Sequence, residues 1–324
     1  MRSSAGQSIQ RFKSGEVPEF LPHRISMKTT IVKSELLLLL AALIWGFAFT
    51  AQRVGMEYMG PFLFNGIRFG LGALVLGAFI FIRKNREIDI RPEFLQDHRK
   101  TLVRGGIIAG LLVFAGATLQ QTGMIYTTAG NGGFITGLYV VFVPILGLFI
   151  RHRPSIYVWI GALLAATGMY FLSVTGNFHN SKGDLYVLGC AFVWAFHVLY
   201  IGHVSPRVDA LKLALMQYII TSLLSLVIAV LIEKIVWQAI VDATVPLLYG
   251  GVFSVGIAYT LQIVGQKKAP PAHAAIILSS EAVFATFGGW LILHEVLSSR
   301  ALLGCALMLA GMVLAQIRIK DVAK

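Results

Sequence analysis

Charge is what this sequence lacks most. Only 13% of its 324 residues are Asp, Glu, Lys or Arg, against about a quarter in soluble domains, which excludes an ordinary water-soluble globule. Acids are the scarcer sign, 15 against 27 Lys and Arg, for a formal net charge of +12. Cysteine is nearly missing: Cys190 and Cys305 both lie inside apolar blocks, so neither a disulfide framework nor a metal cluster is available. No HExxH or GxSxG motif and no ATP-binding motif occurs, and Gly130-Asn131-Gly132-Gly133 lacks the GxGxxG spacing of a nucleotide site. No cofactor, no metal and no catalytic constellation is therefore expected, and uphill work would have to draw on an ion or solute gradient.

What the chain has instead is apolar sequence. Hydrophobic residues make up 56%, mean hydropathy is +0.76, and the excess arrives in blocks of 16 to 22 residues, near the ~20 that a spanning helix needs. Ten blocks are expected to cross a membrane: 36–52, 61–82, 105–126, 131–150, 154–174, 185–202, 211–232, 245–264, 272–293 and 301–316. The break at 127–130 carries no charge, but an unbroken run from 105 to 150 would hold 46 residues, about twice a span.

The basic residues follow this division. With the amino terminus inside, inner segments hold 22 of the 27 Lys and Arg, and outer loops hold only Arg53, Lys182, Lys234 and Arg300. Arg68 lies inside a span. The positive-inside rule then places both termini in the cytoplasm, and topology rather than nucleic acid accounts for the charge. Residues 1–34 read as a polar cytoplasmic tail, its first 26 residues aperiodic and disordered in character. Met27 is an alternative start. The first apolar block resembles a signal peptide, but it recurs later in the chain.

Trp45-Gly46-Phe47 reappears as Trp194-Ala195-Phe196, 149 residues on, and the same offset pairs Arg68 with Gln217. An offset of 142 pairs Leu119-Gln120 with Leu261-Gln262, Gly123 with Gly265, Phe142 with Phe284 and Gly147 with Gly289; Gly161 and Gly168 then pair with Gly304 and Gly311. The expected fold is thus an all-α integral membrane protein of ten helices, as two five-helix repeats, 35–174 and 183–317, joined by an extracytoplasmic linker at 175–182 and followed by a cytoplasmic tail at 318–324. Because five is odd, the halves enter the membrane from opposite sides, the plan of secondary transporters that rock around a midplane site.

Several segments resemble the drug/metabolite transporter superfamily, EamA type: Leu40-Ala41-Ala42-Leu43-Ile44-Trp45-Gly46-Phe47, Ile67-Arg68-Phe69, Gly133-Phe134-Ile135-Thr136-Gly137-Leu138-Tyr139, the run from Pro270 to Ala285, and Leu293-His294-Glu295. The resemblance implies ten helices around a central cavity lined by the first four helices of each half, with the fifth and tenth at the periphery. Ala282 stands where many members carry proline after the ninth-helix carboxylate, so a proline kink is not expected there.

Of 15 acids, Glu281 alone lies near the middle of a span. An intramembrane carboxylate costs about 2.5–3.5 kcal/mol on insertion scales, so it needs a partner or a wet cavity, and such groups are functional by default. It would couple transport to protons, or hold helices together by pairing with Arg68. Arg68, the eighth residue of its span, would bind a substrate carboxylate or snorkel to headgroups. Trp45 and Trp194 sit at equivalent depths; Trp45, Phe49 and Gln52 share a face, as do Trp194, His197 and Ile201. They would form an aromatic wall for an amphipathic solute, or pack helices. Tyr139, the repeat equivalent of Glu281, would complete the polar side. Asn131 and His273 are equivalents at helix starts, suited to anions or to capping, and His197 would relay protons or pack. Together with Gln217 these are the candidate site residues.

The expected function is a secondary exporter or exchanger of small organic metabolites, such as amino acids or related amphipathic solutes, in a bacterial cytoplasmic membrane. The partners expected are a small-molecule substrate and membrane lipid, with no nucleic acid. The alternatives are a lipid flippase of the same fold and, lower still, an intramembrane enzyme or a channel.

Overall fold

The computed structural model describes residues 21–84, 95–127, 129–151, 154–173, 182–293 and 298–315. Described secondary structure is helical throughout, without strands. In chain order the helices are α1 (Leu21–Gly55), α2 (Pro61–Lys84), α3 (Leu95–Gly123), α4 (Ala129–Gly137), α5 (Tyr139–Phe149), α6 (Ile156–Ser173), α7 (Lys182–Val204) and α8 (Ala210–Ile232). A short α9 (Trp237–Asp242) precedes α10 (Thr244–Leu248), which runs through a π-helical stretch, Tyr249–Tyr259, into α11 (Thr260–Gln266). Then come α12 (Pro271–Leu278), α13 (Glu281–Leu293) and α14 (Ser299–Ala315).

Among the described residues, seven segments are long and apolar enough to cross a membrane: Val32–Gly55, Pro61–Ile82, Arg99–Gly123, Gly132–Phe149, Lys182–Arg207, Ala210–Ile232 and Thr244–Gln266. Ile156–Phe171 and Leu302–Ala315 are shorter apolar helices. Their outward faces carry exposed Leu, Val and Phe, among them Leu163, Val227, Leu231 and Val313. That surface is costly in water and matched in hydrocarbon. The interior holds the polar side chains, including Asn65, Gln121, Thr221 and Ser225. Helices in lipid associate through close packing and such polar contacts.

Glycine sets the close approaches. The most extensive contact, between α6 and α14, is antiparallel: a Cβ at Gly161 would stand 2.7 Å from the Gly311 carbonyl oxygen, one at Gly311 would stand 2.6 Å from that of Gly161, and one at Gly168 would stand 2.6 Å from that of Gly304. Extensive contacts also join α2 to α8, α3 to α7 and α8, α2 to the π-helical stretch, and α1 to α13.

Three expectations change. Residues 21–26, expected to be aperiodic, are carried in α1; Pro22 falls in the first turn, where its missing N–H costs nothing, and nothing after it breaks the helix. Residues 131–150 are not one continuous helix but divide at Leu138 into α4 and α5. Residues 272–293 divide likewise at Ser279–Ser280, without proline at 282. There the hydroxyls of Ser279 and Ser280 donate to the carbonyls of Ile276 and Ile277 at 2.8 and 2.6 Å. These local bonds compete with the backbone ladder, and serine pairs are a known cause of kinks.

Candidate functional site

The two breaks meet. Tyr139 is the first residue of α5 and Glu281 the first of α13, so each begins a helix in the buried interior of the protein. The Tyr139 hydroxyl donates to Glu281 Oε1 at 3.3 Å, and both side chains are buried. A carboxylate at a helix start lies at the positive end of the backbone dipole, which is why Glu281 is tolerated at this depth with one side-chain hydrogen bond.

Around this contact lies a cavity lined by Trp45, Phe49 and Gln52 of α1, Arg68 of α2, Gln120 of α3, Thr136 and Tyr139 of α4 and α5, Trp194 and Val198 of α7, Ser254, Tyr259 and Gln262 of the π-helical stretch and α11, and Leu278 and Glu281 at the α12/α13 break. The space open to the centre of a water molecule is about 40 Å³. One water needs about 10–15 Å³ by this measure, so this conformation has room for roughly three waters, and an organic solute requires helices to move.

One wall is aromatic. Tyr259 meets Trp45 edge to face, with centroids 4.7 Å apart, and lies 5.8 Å from both Trp194 and Phe69. The Trp45 indole N–H donates to the Ser254 carbonyl at 3.2 Å, a carbonyl of the π-helical stretch, where single turns of this geometry often mark functional sites. That stretch also lies tight on α2: a Cβ at Gly251 would stand 2.6 Å from Leu71 Cβ and 3.1 Å from the Arg68 carbonyl.

Arg68 is 1% exposed. Its Nε donates to Asn65 Oδ1 at 2.9 Å, and its guanidinium lies 5.0 and 5.6 Å from the ring centres of Phe69 and Phe64. Nη2 has no hydrogen-bond partner. Asn65 is held in turn by donation to the Ala117 carbonyl at 3.1 Å. The snorkelling role is not the observed one, since the side chain is enclosed by protein.

Of the residues singled out from sequence, Glu281, Tyr139, Arg68, Trp45 and Trp194 share this cavity. His197 and Gln217 do not line it. They form their own buried contact, Nε2 to Oε1 at 3.2 Å, behind Trp194, because at helical spacing Val198 rather than His197 follows Trp194 onto the cavity face. His273, in the first turn of α12, is half-buried outside the lining. Asn131 falls within the first turn of α4, and its side chain lies outside the described residues. Tyr259, Gln120, Gln262, Thr136 and Ser254 were not singled out as site residues. The signal for the two glutamines was present, since they are repeat equivalents among apolar neighbours; Tyr259 carried none.

With this geometry in hand, comparison with known proteins is informative. Residues 32–174 and 181–316 match the profile of the EamA-like transporter family. An uncharacterized transporter of Archaeoglobus fulgidus is 31% identical over 292 residues, covering 88% of this chain and 86% of its own. The uncharacterized transporter YoaV of Bacillus subtilis is 25% identical over 87% of this chain and 96% of its own, and the uncharacterized inner membrane transporter YedA of Escherichia coli is 26% identical over 49% of each. A solved structure at 20% identity superposes with a TM-score of 0.71 over 87% of this chain and 97% of its own, which shows a shared fold.

Proposed function

The chain belongs to the EamA-like transporter family and is a multi-pass membrane protein, and from that premise we propose that it is a secondary transporter of small organic metabolites, such as amino acids or related amphipathic solutes. Two inverted five-helix halves alternate access to the cavity around Glu281. Both termini are cytoplasmic, and the membrane is the bacterial cytoplasmic one, in keeping with an inner membrane relative.

The observation that carries this reading is the meeting of Tyr139 and Glu281. They are equivalents under the 142-residue offset, each starts a half-helix, and they touch across the cavity at 3.3 Å. Interrupted helices at corresponding places in two halves are the usual setting of a transport site. The glycine contacts support the same symmetry. Exchanging Gly161 with Gly304 and Gly168 with Gly311 turns the contact of Gly161 with Gly311 into that of Gly304 with Gly168, and both contacts exist. Likewise Gly123 approaches the Gly183 carbonyl, and its equivalent Gly265 approaches that of Ser34, the residue 149 before Gly183.

Translocation rather than catalysis suits the lining, whose charged groups are one carboxyl and one guanidinium, with no thiol or imidazole among the described lining residues. Glu281 is the group through which protons couple to transport: its carboxyl faces the cavity and would be offered to either side in turn.

The test is counterflow in liposomes holding purified protein and preloaded with amino acids, amines and organic acids, for the wild type and Glu281→Gln. Accumulation of one labelled solute in the wild type, with loss of its response to an imposed pH gradient in the mutant, is expected. Folded protein that moves no solute but scrambles labelled lipid would replace this reading with a flippase, and transport indifferent to pH gradients and to the mutation would remove the proton.

A further inference from the structure

The cavity contains a cation, Arg68, that forms no ion pair among the described residues. Arg68 is enclosed by protein and lines the cavity. Its Nε donates to a neutral amide, Asn65, and its Nη2 is unpartnered. The rings of Phe64 and Phe69 offset its charge in part through their faces. Glu281, the other charged lining residue, accepts its side-chain hydrogen bond from Tyr139. A buried guanidinium is strongly unfavourable unless an anion completes it, and its planar fork is shaped for carboxylate.

Three further features face the same space. Trp45, Tyr259 and Trp194 form a wall of rings in mutual contact, and Phe49 adds to it from α1. Gln52 and Gln262 each hold a buried side-chain oxygen without a hydrogen-bond partner. These are requirements on a ligand: a negatively charged hydrogen-bond acceptor for Arg68, a flat apolar body for the wall, and an N–H or O–H for the glutamine oxygens. Neutral solutes and simple amines meet at most two of them.

Resting on the transporter reading above, we propose that the substrate is an aromatic carboxylic acid, amino or hydroxy acids included, whose carboxylate pairs with Arg68 and whose ring lies against Trp45, Tyr259 and Trp194. Arg68 is then the residue that sets specificity, selecting acids over amines of the same shape. Coupling at Glu281 and recognition at Arg68 are then carried by different side chains of one cavity.

The test uses three probes of one shape: phenylalanine, 3-phenylpropionate and phenethylamine. Binding to detergent-solubilised protein is read from tryptophan fluorescence excited at a wavelength the probes do not absorb, and independently from the rise in melting temperature that any ligand of the folded state produces. Phenylalanine and 3-phenylpropionate are expected to bind at least tenfold more tightly than phenethylamine. Arg68→Gln should erase that preference and Arg68→Lys, which keeps the charge without the fork, should restore part of it. Elution profile and unligated melting temperature establish that the variants fold, and Asn65→Ala, which frees the guanidinium without removing it, provides a milder second variant that should keep the acid preference. Equal binding of acid and amine, or no binding of either acid by the wild type, overturns the proposal. Binding of acids without counterflow would leave it standing and sink the transporter reading; counterflow of amines or neutral solutes that acids do not inhibit would do the reverse.

Discussion

The start of α2 is capped by a residue from the other half of the chain. Pro61 has no N–H to satisfy, and the Phe64 N–H already reaches the Gly60 carbonyl at 3.1 Å. The two remaining donors of the first turn, Phe62 and Leu63, donate to Glu233 Oε1 and Oε2 at 2.9 and 2.8 Å. Glu233 is the C-cap of α8, so one carboxylate ties the end of α8 to the start of α2. The repeat equivalent of Gly60 is Asp209, which caps its own helix by accepting from Leu211 and Lys212. Gly60 cannot do so, and a Cβ there would displace the Glu233 carboxylate.

An N-cap is worth about 0.5–2 kcal/mol, and a charge at a helix start adds about 0.3–1 kcal/mol. Glu233→Ala should therefore destabilise the protein by about 1–3 kcal/mol, and Glu233→Gln, which keeps one acceptor and loses the charge, by roughly half of that. Gly60→Ala displaces the same carboxylate and should cost a similar amount. The decisive quantity is the double variant. If both changes remove one cap, Gly60→Ala with Glu233→Ala will be hardly less stable than Glu233→Ala alone, leaving a coupling of about 1 kcal/mol or more. Equilibrium unfolding in mixed micelles, followed by tryptophan fluorescence, measures all four proteins. Strictly additive losses would show that glycine and glutamate act independently and that the trans cap contributes nothing.

Other consequences follow from the same contacts. Gly311→Leu places a side chain where even a Cβ has 2.6 Å to a carbonyl; it should separate α14 from α6 and cost about 1–3 kcal/mol or more, detectable as a lower melting temperature, whereas Leu163→Ala on the exposed face of α6 should cost much less. Tyr139→Phe removes the hydrogen bond from Tyr139 to Glu281, and the pH dependence of counterflow should shift while the substrate preference set by Arg68 persists; an unchanged pH profile would deny the pair its role. Proposed topology is open to cysteine labelling in a Cys305→Ser background: Lys182→Cys and Lys234→Cys should react with impermeant maleimide in intact cells, and Lys212→Cys and Lys268→Cys only after permeabilisation. Tyr259→Ala removes the ring shared by Trp45, Trp194 and Phe69 and should weaken aromatic ligands at least tenfold relative to acetate-sized acids in the same binding assay.

Several features were legible before any coordinates. Low charge and apolar blocks of spanning length determine a helical membrane protein, because in hydrocarbon each segment must satisfy its own backbone. The scarcity of intramembrane charge singled out Glu281 and Arg68, and self-similarity at two offsets paired Tyr139 with Glu281. What sequence did not reveal is where side chains face and where helices stop. Val198, not His197, shares the cavity with Trp194, and His197 turns to Gln217 instead; one helical step of 100° decides this, and hydropathy does not resolve it. The breaks at Leu138 and Ser279–Ser280 were not read from sequence because neither carries a proline, and serine hydroxyls that bond back to the preceding turn look the same in sequence as those that bridge helices. The π-helical stretch and the position of Tyr259 depend on how closely Gly72 and Gly251 let α2 approach. Composition and periodicity thus determined the solvent, the elements and the charged groups of this protein, since those depend on each segment alone. Tertiary packing decided which of those groups meet in one cavity, since that depends on distances between segments far apart in the chain.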